Sequence, residues 1–126
     1  MESFYKEKDR LSKEELIAQI EKQISISLYI QAAAQITEAI LLSRLYALKE
    51  ETDGESEIVT GVWLQSIGQT IEAIAVSKEL SAINQEDLIT LEKIIVSSDF
   101  IQSFGAAIEG IGGLKVLRQT PLPFIP

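Results

Sequence analysis

One short pattern occurs three times in this chain, as SLYIQAAAQITEAI from Ser27, GVWLQSIGQTIEAI from Gly61 and SDFIQSFGAAIEGI from Ser98. Each copy opens on a small residue, with an aromatic two positions later (Tyr29, Trp63, Phe100) and a glutamine two beyond that (Gln31, Gln65, Gln102). A small residue follows three past the glutamine (Ala34, Gly68, Gly105) and a glutamate seven past it (Glu38, Glu72, Glu109). Isoleucines 40, 74 and 111 close the pattern, and a basic residue follows four later. The copies start 34 and 37 residues apart, a period of stacked supersecondary units.

Apolar residues in and around the copies recur at steps of three and four, the helical period. Ser12 with Glu15 reads as a capping box opening a first helix over about 12–50, bent or broken near Ser25–Ser27. Asp53-Gly54 marks a turn, and a second helix is expected over about 57–80. Asn84, with Asp87 three residues on, caps a third over about 85–110, which the glycines at 110, 112 and 113 should fray. The first and third segments also match upstream of the pattern, where Ile17, Ile20 and Ile24 align with Leu88, Leu91 and Ile95. The expected fold is all-α, an antiparallel three-helix bundle over 1–120 made of three degenerate repeats. A break at the serines would make it four helices. Three prolines in 121–126 favour an extended tail.

On a helix the aromatic, the residue two past the glutamine, and the final isoleucine share one side, assigned here to the core. The small residues, Gln and Glu share the other side. That side either faces solvent or forms a second contact surface. Glycine inside an exposed helix costs about 1 kcal/mol relative to alanine, and its recurrence there is the argument for contact. The candidate interface residues are therefore Gln31, Ala34, Gly61, Gln65, Gly68, Gln102 and Gly105. Leu122, Phe124 and Ile125 of the tail join them, docking on the bundle itself or on a neighbour.

The chain has no histidine and no cysteine, which removes the commonest general base, metal ligand and nucleophile. Glu38, Glu72 and Glu109 read as exposed helix charges, and the turn at Asp53-Gly54-Glu55 lacks the ligand spacing of a calcium loop. Gly110-Ile111-Gly112-Gly113 follows a helix and has no GK[ST], so it is no phosphate loop. No catalytic residue, metal ligand or cofactor is expected. A net charge of −8, with eleven Lys and Arg spread along the chain, speaks against nucleic acid as partner. The charged N-terminus has no signal-peptide core and no stretch is expected to reach the roughly 18 apolar residues a membrane span needs, so a cytoplasmic protein is expected.

Gly61, Trp63, Leu64, Gln65, Ile67, Gly68, Ile71, Ala73 and Ile74 carry a resemblance to the repeated unit of small repetitive proteins of spore-forming bacilli. Those have segments of the form G-x-W-[IL]-Q-A-[IL]-G-x-x-[IL]-x-A-[IL] and form a family of unknown function. Tyr29 and Phe100 stand where that unit has Trp, and Ala34 where it has Gly. The resemblance implies a bacterial origin and no catalytic residues. The reading of the whole is a non-enzymatic, self-associating helical protein, expected to be a homo-oligomer or part of a larger assembly. Two others stand beside it, a membrane-active or membrane-surface protein and an acidic adaptor or immunity-type binder of a protein partner.

Overall fold

The computed structural model describes residues 2–49 and 53–119, and they form three helices, α1 (Glu2–Leu48), α2 (Glu55–Glu79) and α3 (Gln85–Gln119). The tail residues Leu122, Phe124 and Ile125 lie outside the described residues.

α1 is one uninterrupted helix of 47 residues, about 70 Å long at 1.5 Å per residue. It starts well before the expected cap at Ser12. Residues 2–10 hold good helix formers and neither Gly nor Pro, so nothing upstream of Ser12 stops the helix. The hydroxyls expected to break it instead fold back on it, Ser27 Oγ donating to the Ile24 carbonyl at 2.7 Å. The turn into α2 rests on Gly54, which alone among the described residues has a positive φ, at 102°. Its carbonyl accepts from Ile58 N at 3.1 Å. α3 opens as expected, with Asn84 Oδ1 accepting from Asp87 N at 2.8 Å.

α3 does not fray at its glycines but runs on to Gln119. Its last turns are held to the start of α2. Gly112 is buried against Gly54 and Ile58, Lys115 Nζ donates to Glu57 Oε1, and Gln119 Nε2 donates to the Asp53 carbonyl at 3.1 Å.

α2 is the central member: α1 and α3 each pack along it, and among the described residues α1 and α3 do not pack on each other. The helices therefore form an open bundle whose two seams lie on different stripes of α2. Toward α3, Gly54, Gly61 and Gly68 recur every seven residues, and Gly112, Gly105 and Ser98 answer them in that order. Toward α1, buried Ser66 donates to the Gln35 carbonyl at 3.0 Å, and the buried residues of α1, Ser25, Ala32 and Ala39, also recur at sevens. Seven-residue spacing keeps one stripe facing a partner along a helix pair. Small residues on both sides let the axes approach to the short end of the usual 8–10 Å.

Candidate functional site

The small/Gln/Glu face of copies two and three forms the α2–α3 seam. Gly61 lies on Gly105 and Gly68 on Ser98, each so close that a Cβ would collide with the neighbouring helix. A Cβ at Gly68 would fall 2.6 Å from Gln102 Cγ and 2.9 Å from the Ser98 carbonyl. Beside the glycines, Gln65 Nε2 donates to Glu109 Oε1 at 3.0 Å, and Gln102 Nε2 donates to Glu72 Oε2 at 2.9 Å. These contacts are reciprocal. Position one of each copy meets the second small position of the other, and the glutamine of each meets the other's glutamate. The two copies are thus related by a local two-fold operation across the seam.

That geometry revises the expectation for five candidate interface residues. Gly61, Gly68 and Gly105 are buried in a seam within the chain, and Gln65 and Gln102 are half-buried beside them, bonded across it. Gln31 and Ala34, the matching positions of copy one, are exposed, as are Ser27 and Glu38.

The side assigned to the core is largely outside. Tyr29 is 45% exposed, Ile67 50% and Phe100 71%, and Ile40, Ile74 and Ile111 are exposed with them. The buried apolar residues are Ala32, Ala39, Val62, Ala73 and Ala75, while the largest fully buried side chains are Ser66 and Ser98. Axes drawn close by small residues leave no interior for an isoleucine or a phenylalanine. Bulky side chains such as Ile58, Leu64, Ile71 and Ile101 are only half-buried, and many others stand on the outer surfaces. Trp63 is half-buried and donates Nε1 to Ser43 Oγ at 2.8 Å across the α1–α2 seam, where Tyr29 Oη also lies 2.9 Å from Ser77 Oγ.

Ser25 and Ser66 were missed in the sequence as packing residues, and so was the part of Gly54 and Gly112. Their signal is the seven-residue ladder, which runs outside the repeated pattern at both ends.

Charge gathers in two places. Lys115, donating to Glu57 and 4.0 Å from Asp53, is itself held above its ordinary pKa, chiefly by that bond. The same bond holds the Glu57 carboxyl below its usual range. At the other end Glu79 sits where the three helices converge, in a cavity of about 300 Å³ lined by Glu21, Ile24, Val76, Glu79, Leu80 and Leu88. Burial first, then the hydrogen bond its protonated carboxyl donates to Glu92, then the charges of Glu92 and Glu21 push its pKa up. Among the described residues no group of acidic side chains is placed to hold a metal ion.

Comparison with known protein families, with curated proteins and with solved structures finds no match to this chain.

Proposed function

We propose that this chain is a non-enzymatic building block, a preformed set of helices that self-associates into a homo-oligomer or larger assembly. One observation carries the reading, the number of bulky apolar residues left exposed while the most buried positions are mainly serine, glycine and alanine. Phe100, Phe104, Leu114 and Leu117 on α3 and Ile30, Leu41 and Leu45 on α1 are all about half or more exposed. Soluble monomers rarely expose contiguous apolar patches beyond a few hundred Å². Burying one such side chain is worth about 1.5–3 kcal/mol, so covering several supplies the driving force for association. The seams give the block its shape and the exterior gives it its adhesion.

The absolute mass of the purified protein by light scattering, at low and high salt, tests this. A defined multiple of 13.9 kDa, or a polymer, that persists at high salt supports association through apolar surface. A monomer at all concentrations overturns it.

A second reading, association with a membrane, has its own support. Contrary to the expectation from the sequence, α1 and α3 are each long and apolar enough over an 18-residue window to cross a bilayer, by length and composition, and only 17% and 11% of those windows are buried. Helices in lipid also pack through small residues. Against it stand exposed Glu38, Arg44, Asp99 and the scarcity of basic residues, which interfacial helices usually carry. Flotation with phosphatidylcholine vesicles separates the readings, because an assembled block with covered apolar surface stays at the bottom of the gradient.

A further inference from the structure

The repeated pattern has three copies but only two are paired. Copies two and three meet across the α2–α3 seam through small-residue contacts and two reciprocal Gln-to-Glu hydrogen bonds. Copy one sits on α1 with the same chemistry, Ser27, Gln31, Ala34 and Glu38, and these residues are exposed. α1 docks on α2 through a different stripe, Ser25, Ala32 and Ala39. That stripe is two residues out of phase with the pattern, about 200° around the helix, so the pattern face of α1 points away from α2.

The flanks agree. Leu88, Leu91 and Ile95 of α3 are each half-buried, whereas the residues aligned with them in α1, Ile17, Ile20 and Ile24, are 46%, 45% and 50% exposed. What is half-buried on α3 is more exposed on α1.

We propose that α1 pairs antiparallel with α1 of a second copy of this chain, about a two-fold axis, in the register of the α2–α3 seam. This rests on the self-association reading and names its interface. A face that pairs with its own repeat inside the chain is self-complementary, which is what a two-fold interface requires. In that register Ser27 lies against Ala34 of the second copy and Ala34 against its Ser27. Gln31 donates to Glu38 of the second copy, and the second copy's Gln31 returns the bond, as Gln65 and Gln102 do within the chain. One heptad further out, Ile20 meets Leu41 of the second copy at each end. The contact from Ile20 to Leu41 runs about 32 Å along the helix.

The chain has no cysteine, so engineered thiols read the register directly. The variant carrying both S27C and A34C should form a covalent dimer under mild oxidation. Either single substitution should not, because like positions lie about 10 Å apart along the axis. Ala34→Leu gives the second measurement. Ala34 is exposed, so helicity and unfolding temperature should hold while the scattering mass falls by half. If the protein assembles but the double-cysteine variant stays uncrosslinked, or Ala34→Leu leaves the mass unchanged, the α1 interface is wrong and self-association stands. A wild-type monomer that floats with phosphatidylcholine vesicles overturns both, with lipid as the occupant of the face.

Discussion

Gly61 on α2 and Gly105 on α3 occupy one another's side-chain space. A Cβ on Gly105 would stand 2.7 Å from the Gly61 carbonyl oxygen, and a Cβ on Gly61 would stand 2.6 Å from Glu109 N. Backbone cannot give way as a flexible side chain can, so leucine at position 61 or 105 must drive the helices apart. The expected loss is about 3 kcal/mol or more, at the upper end of what overpacking costs, read as a large fall in unfolding temperature. Gly110 and Gly113 have open space where a Cβ would go. Alanine there should stabilise α3 by about 0.5–1 kcal/mol. Thermal unfolding of Gly105→Leu and Gly110→Ala beside the wild type checks both signs, and equal effects at the two sites would contradict the seam.

The two Gln–Glu bonds flanking these glycines make a second prediction. Since they are equivalent under the local two-fold, a double-mutant cycle on Gln65 and Glu109 and another on Gln102 and Glu72 should return similar coupling. A part-buried hydrogen bond to a carboxylate suggests about 1–2 kcal/mol in each, from denaturant unfolding of the alanine variants. Coupling in one cycle and none in the other would mean that the reciprocity is lost in solution.

Three helices, their antiparallel order and the Asn84 cap were legible because period and cap chemistry are local. Which side of each helix faces inward was not. An isoleucine stripe and a glycine-glutamine stripe compete for the inside, and hydropathy favours the isoleucines. Distance favours the glycines, because Gly61, Gly68 and Gly105 permit a backbone approach that Ile67 or Ile74 would prevent. Within the pattern only a fragment of the ladder shows. Its continuation through Gly54 and Gly112 was hidden by the ordinary roles of those glycines as turn and breaker. The exposure of Gln31 and Ala34 was likewise invisible, since the three copies look alike until two of them pair.

Gln69 offers a test of the other face of α2. It is 5% exposed, and its Nε2 is sealed from solvent without a hydrogen-bond partner. Such a donor loses its hydration and gains nothing, a cost of about 1–3 kcal/mol. Methionine has a similar reach and no amide, so Gln69→Met should raise the unfolding temperature by several degrees. A fall instead would show that the amide holds a partner in solution.

Glu79 sets the sign of a pH dependence. Its folded pKa is raised, so between the unfolded value near 4.5 and the higher folded value the native state binds more proton than the unfolded chain. Its contribution is fully present below 4.5 and is lost as pH rises through the folded pKa. Glu57, held low by Lys115, acts in the opposite sense, contributing above 4.5 and losing that contribution as pH falls through its folded pKa. The two windows lie on opposite sides of the ordinary glutamate pKa, so a titration of stability separates them. Glu79→Gln keeps the shape without the charge and should flatten the decline above pH 4.5 while leaving the acid limb in place. Glu57→Gln should do the reverse. Denaturant unfolding of both variants between pH 3 and 8 reads this out, and a Glu79→Gln curve parallel to the wild type above pH 4.5 would remove the carboxyl cluster of Glu21, Glu79 and Glu92 as a source of strain where the three helices meet.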